Sequence, residues 1–179
     1  TNNAMLVDKV TDGMGNTYDY TYKSITNSGV YTNTKTGANH IIPLVQPFYV
    51  VSKYTAPYTS LSYQYKNGRC HTQGKGFLGF EEMTTTDHLN QTQKKDIYTV
   101  NVNYMYHHPS QTTVTTLDGN SIYNLKHNYT IRTMGGKCIF PYISRYEYTD
   151  NLTTLQEIGT FAYDDNGNLD NETKIRGNR

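Results

Sequence analysis

The stretch Tyr123-Asn124-Leu125-Lys126-His127-Asn128-Tyr129-Thr130-Ile131 alternates a ring or aliphatic side chain with a polar one at every step. Successive side chains of a strand point to opposite faces, so this period of two puts Tyr123, Leu125, His127, Tyr129 and Ile131 on one face. Upstream, Ile97-Tyr98-Thr99-Val100-Asn101-Val102-Asn103-Tyr104-Met105-Tyr106 repeats the pattern and reads as a single strand with Tyr98, Val100, Val102, Tyr104 and Tyr106 together. Tyr18, Tyr20 and Tyr22 do the same, as do Leu61, Tyr63 and Tyr65, then Leu155, Phe161 and Tyr163. No segment pairs helical spacing with a cap. The expected fold is all-β: a curved, mostly antiparallel sheet of successive hairpins with little helix.

Between the alternating stretches lie turn signals: Asp12-Gly13-Met14-Gly15-Asn16, Asn67-Gly68, Asp118-Gly119-Asn120 and Asp164-Asp165-Asn166-Gly167-Asn168. Asp or Asn opens a turn by accepting hydrogen bonds from the backbone just ahead, and Gly takes the left-handed position. Gly167 is therefore expected at positive φ. Asn27 to Asn39 and Thr84 to Lys95 are polar and read as loops. Pro43, Pro47, Pro57, Pro109 and Pro141 fall near expected strand ends or edges, where a missing N–H is harmless. Turn signals recur throughout, so residues 1–179 read as one hairpin segment without a boundary. Thr1-Asn2-Asn3-Ala4 opens in mid-pattern, which reads as a fragment of a longer chain.

Composition narrows the function. The 179 residues include 18 Tyr, five Phe and no Trp, with 35% hydrophobic residues. A core built on Tyr is semi-polar, each ring burying its face while its hydroxyl finds a partner. The net charge of +1 is spread without a basic cluster, so no nucleic-acid partner is indicated. No apolar run is long enough to span a bilayer as a helix. Cys70 and Cys138 are far apart in sequence, and whether they pair stays open.

Candidate chemistry is sparse. His107-His108 is the most metal-like feature, but neighbours in a strand point to opposite faces and do not readily chelate one ion. His40, His71, His88 and His127 lack ligand spacing. Glu81-Glu82 and Asp164-Asp165 are adjacent acids, not two carboxyls facing one cleft. Cys70-His71 lacks a third, orienting group. The sequons at Asn90, Asn128, Asn151 and Asn171 fit chance in a chain so rich in Asn and Thr. No catalytic residue, cofactor site or metal site is expected. The Tyr stripes are expected to act as cross-strand packing; the alternative is an exposed sugar-stacking platform, with carbohydrate as the ligand.

Several motifs carry a resemblance. Tyr163-Asp164-Asp165-Asn166-Gly167-Asn168-Leu169 matches the YD-repeat pattern Tyr-Asp-x-x-Gly-Asn/Arg-Leu. Asp12-Gly13-Met14-Gly15-Asn16 is a second copy with Thr11 in place of the Tyr, and Asp118-Gly119-Asn120 a shortened third. Gly74-Lys75-Gly76-Phe77-Leu78-Gly79-Phe80 resembles a stretch in the B subunits of insecticidal toxin complexes and related Rhs proteins, as does Phe140-Pro141-Tyr142-Ile143-Ser144. The resemblance implies a non-catalytic segment of a hollow β-shell, secreted or at the bacterial cell surface. Its partners would be neighbouring repeats of the same polypeptide and an enclosed C-terminal toxin domain. The family's self-cleaving aspartyl protease motif is absent, so that activity is not carried over.

The three glycines around Phe77, Leu78 and Phe80 suit a bent or bulged strand. Phe77 and Phe80 lie an odd number of positions apart, so a regular strand would send them to opposite faces. A bulge that re-aims one ring, with both rings packed, is the expectation, and the motif is expected to be a structural junction rather than a ligand site.

Overall fold

A computed structural model of the chain describes residues 6–37, 39–135 and 138–178, and among them every regular element is a strand. Thr1 to Ala4, and Ala38 within the expected 27–39 loop, lie outside the described residues. A first compact unit ends at His108 and a second begins at Pro109.

The first unit holds β1 (Lys9–Thr11), β2 (Thr17–Ser24), β3 (Tyr31–Thr32), β4 (Ile41–Pro43), β5 (Tyr49–Ala56), β6 (Thr59–His71), β7 (Gly76–Asp87), β8 (Thr92–Asn101) and the start of β9 (Tyr106–Thr116). Its strands run β1-β2-β5-β6-β7-β8, each antiparallel to the next. β3 lies parallel to β6 and β4 antiparallel to it. The second unit continues β9 and adds β10 (Ser121–Met134), β11 (Cys138–Asp150), β12 (Leu155–Tyr163) and β13 (Leu169–Asn178), again paired in chain order and antiparallel. The alternating stretch 123–131 lies inside β10, and its period of two survives intact.

Packing concentrates where the chain between β2 and β5 folds back on the sheet. Ile25, Val30, Tyr31, Leu44 and Val50 form a buried cluster, with Phe48, Tyr65, Cys70 and Phe80 against it. Tyr31 holds two segments at once: its hydroxyl donates to Leu44 O (3.3 Å) and accepts from Gly68 N (3.1 Å).

Three expectations need correction. First, Ile97–Tyr106 is not one strand: β8 stops at Asn101 and β9 begins at Tyr106. The Asn101 side chain accepts from Asn103 N (3.1 Å) and Tyr104 N (3.0 Å), and Met105 takes φ 56°. Local side-chain bonds to the backbone out-compete the ladder there. Second, Thr84 to Lys95 is not a loop; only residues 88–91 turn, between β7 and β8. Third, Asn67-Gly68 is inside β6. Asn67 is buried at φ 54°, and its side chain accepts from Thr34 N (2.9 Å), which ties the fold-back segment down.

Candidate functional site

The recurring motifs build two kinds of hairpin turn. In the first, Asp12 N donates to Asn16 O (3.0 Å) and Gly15 N to Asp12 O (3.1 Å), with Gly15 at φ 84°. The carboxylate of Asp12 accepts from Met14 N, Asn16 N, the Asn16 amide and the Tyr18 hydroxyl. Asp164 repeats this: Asp164 N donates to Asn168 O (2.9 Å), Gly167 N to Asp164 O (3.1 Å), and Gly167 has φ 85°. Its carboxylate accepts from Asn166 N, Asn168 N and the Asn168 amide. Both carboxyls are held below the ordinary aspartate range, chiefly by the Asn four residues on.

The third copy is not shortened. Thr116 N donates to Asn120 O (2.8 Å), Gly119 N to Thr116 O (3.0 Å), and Gly119 has φ 89°. Thr116 Oγ1 accepts from Asn120 N (3.1 Å). Opener, Gly and Asn keep the spacing of the other two turns; Thr116, not Asp118, stands in the opener's place.

The second kind opens with Asp87, Asn101 or Asp150 at the end of a strand. The side-chain oxygen accepts from the N–H groups two and three residues on, and Gln91, Met105 and Thr154 respectively adopt φ 53°, 56° and 58°. Non-glycine residues in this region are uncommon, so propensity rules do not announce these turns.

The Tyr163 turn sits on the Phe140–Ser144 motif. Tyr163 lies 5.5 Å from the Phe140 ring and 4.8 Å from the Tyr142 ring. Arg132 donates to the carbonyls of Tyr163 and Asp164 while its guanidinium lies 5.7 Å over Tyr142. Two motifs quoted separately in the sequence are thus one aromatic seat.

At Gly74–Phe80, Arg69 pairs with Gly79 and Cys70 with Phe77, so Leu78 is the extra residue of a bulge in β7. Leu78 turns inward (8% exposed), and the Phe77 and Phe80 rings meet on one side at 5.2 Å. Phe80 also packs on Tyr31 and Tyr65. Both rings are packed, as expected, but not equally covered: Phe77 touches Phe48 yet is 48% exposed. No covering element reaches its outer face among the described residues of this unit. Gly79, at φ 110°, carries the His107 ring, which a Cβ would meet at 2.8 Å. Gly74 and Gly76 take φ 101° and 66° in the tight return from β6.

Beside the bulge lies an open groove of about 600 Å³, lined by Phe77, Phe80, Met83, Tyr98, Met105 and Tyr106 with Lys75 at its rim. Next to it, Glu81 joins Lys35 (2.7 Å) and Arg69 (2.8 Å), and Arg69 reaches Thr36 O (3.0 Å). Burial pushes the Glu81 carboxyl up; the two cations outweigh it and hold it below its ordinary value. The cluster pins the 35–37 segment to β6 and β7.

The other candidates stay apart. No group of three or more His, Cys, Asp or Glu is placed to hold a metal among the described residues. His107 packs on Tyr98 and His108 on Tyr106. Both cysteines are free, Cys70 half-buried with its thiol pushed up by burial and Cys138 exposed. Several Tyr hydroxyls bond within the fold: Tyr65 to Val51 O, Tyr22 to Val7 O, Tyr146 to Glu157. Burial pushes the Tyr65 phenol up to about 12. No helix among the described residues is long and apolar enough to cross a membrane.

Comparison with curated proteins found no match. The family described as the insecticide toxin TcdB middle/N-terminal region matches residues 1–111, which span the Asp12 turn, the fold-back core and the bulged Gly74–Phe80 strand. That is more than half of the chain, and the chain belongs to this insecticide toxin TcdB middle/N-terminal family.

Proposed function

We propose that the chain is a non-catalytic structural segment of a secreted toxin complex, a stretch of shell wall whose partners are neighbouring hairpins of the same polypeptide, other toxin subunits and an enclosed toxin cargo. The observation that carries this reading is the use to which the motifs are put. The YD-like and aromatic motifs close hairpins or seat rings, and their central polar groups bond the turn itself: the Asp12 and Asp164 carboxylates accept from turn N–H groups, and Arg132 donates to turn carbonyls.

The carbohydrate reading rests on one observation. Tyr20, Tyr54, Tyr63 and Tyr65 line a second open groove of about 380 Å³. Tyr20 and Tyr54 lie 5.1 Å apart at 39°, which is mutual packing rather than a coplanar platform, and this favours the structural reading.

The test is protease protection in the full-length toxin polypeptide that contains this segment. Replacing Phe80 by Ala is expected to expose the cargo to digestion at protease levels the parent resists. Cargo equally protected with this strand destabilised would contradict the shell-wall role.

A further inference from the structure

The turn between β1 and β2, that between β5 and β6 and that between β7 and β8 lie at the same end of the strands. Register shows it: Thr11 faces Thr17, Thr55 faces both Asp19 and Ser60, and Asp87 faces Leu61. Hairpin tips ordinarily carry Gly, Asn, Asp or Ser. Here they carry large apolar side chains in full view: Met14 is 87% exposed, Tyr58 92% and Leu89 58%. Met14 and Leu89 occupy the same place. Each stands two residues after a turn-opening Asp and donates its backbone N–H to that carboxylate, at 2.8 and 2.9 Å. The second unit repeats the device with Asp150 and Leu152, which is 74% exposed and bonded at 2.8 Å.

This end of the first unit is also acidic. Residues 12–16, 57–58 and 88–91 contain no Lys or Arg, while Asp12 and Asp87 stand at the turns. Both carboxyls are kept ionised by turn hydrogen bonds, from Asn16 and Asn90 above all. The opposite end of the same strands is the complement. The apolar groove opens there, and Lys75 at its rim donates to the carbonyls of Tyr104 (3.3 Å) and Met105 (3.4 Å), with no carboxylate partner among the described residues.

We infer that the Asp-x-apolar hairpin tips are docking knobs, and that the Lys75-rimmed groove is a socket for the tip of a second copy of this chain. The apolar side chain of a tip enters between Phe77 and Met105, and its Asp lies against Lys75. Knob and socket are different surfaces at opposite ends of the strands, so the contact is heterologous and joins copies head-to-tail. Copies add in a row rather than stopping at a dimer. This inference stands on the tips and the groove, independently of any enclosed cargo.

The test is sedimentation velocity of the chain over a range of concentrations and salt. The parent is expected to grow through successive oligomers as concentration rises, and to dissociate in high salt because the ion pair is exposed. A Met14→Ser, Leu89→Ser, Leu152→Ser triple variant changes exposed positions only and leaves the fold intact by circular dichroism. It and Lys75→Glu should each weaken association by about tenfold or more, as loss of a central anchor does. A disulfide-closed hairpin peptide of sequence 86–92 should compete. A chain monomeric at every concentration, a plateau at dimer, or association indifferent to both variants and to the peptide would each overturn the inference.

Discussion

The rings of Phe77 and Phe80 stand 5.2 Å apart and nearly edge to face on one side of β7, although three positions separate them. The bulge at Leu78 makes this possible by inserting one residue between the pairs Arg69–Gly79 and Cys70–Phe77. The same bulge throws Gly79 to positive φ and lays it under His107.

Gly79→Ala should therefore be among the costlier single-methyl changes in the first unit. The left-handed backbone alone costs a β-carbon roughly 1 kcal/mol or more, and the clash with His107 adds to it. In urea unfolding, the double variant with His107→Ala should recover the clash but not the backbone share. Equal stability of Gly79→Ala and parent would show that the bulge is absent.

Gly167→Ala should destabilise the Tyr163 turn by roughly 1 kcal/mol, since its φ of 85° suits glycine, while the new methyl would make only ordinary contact with the Phe140 ring. An unchanged melting temperature would contradict the turn assignment.

Thr116→Asp converts the third turn to the chemistry of the other two, giving the Asn120 amide a second oxygen to bond. It should raise stability by roughly 0.5 kcal/mol, within the range of a single capping bond. A drop in melting temperature would mean that Thr116 is not the opener.

The turn aspartates set an acid limit. Asp12 and Asp164 have folded values below the ordinary 3.8. A depressed folded value contributes stability above the unfolded value, and that stability is lost as pH falls through the folded one. Stability should thus fall on acidification below about pH 4, and the fall should be shallower in an Asp12→Asn, Asp164→Asn variant. Parallel pH profiles for parent and variant would contradict this.

How much of this was legible in the sequence depends on where the backbone obeys its own propensities. The 123–131 stretch of β10 was plain, because nothing interrupts its alternation. The 97–106 stretch alternates just as cleanly yet turns at Asn101, because the left-handed residue there is Met105 and no glycine marks it. Thr84 to Lys95 looked like loop because strands with a solvated face carry Thr, Asp and Lys; only the pairing of β7 with β6 and of β8 with β7 reveals them. Thr116 was hidden because a hydroxyl can open the turn that a carboxylate opens elsewhere. The fold-back core of Val30, Tyr31 and Leu44 has no period at all and is fixed by tertiary contact. The bulge was foreseeable from the odd spacing of Phe77 and Phe80; the exposure of Phe77 was not, since it depends on what else covers that strand.

The central claim is that the Gly74–Phe80 motif is a structural junction and not a glycan site, and paired unfolding and glycan-array measurements on Phe80→Ala and Phe77→Ala test it most directly. Phe80, packed on Tyr31, Tyr65 and Phe77, should cost about 3 kcal/mol when truncated, and half-exposed Phe77 roughly 1 to 2 kcal/mol. Neither variant should differ from the parent on the array. Unfolding curves that superimpose on the parent's, together with loss of a glycan that the parent binds, would contradict the claim and make the motif a ligand site.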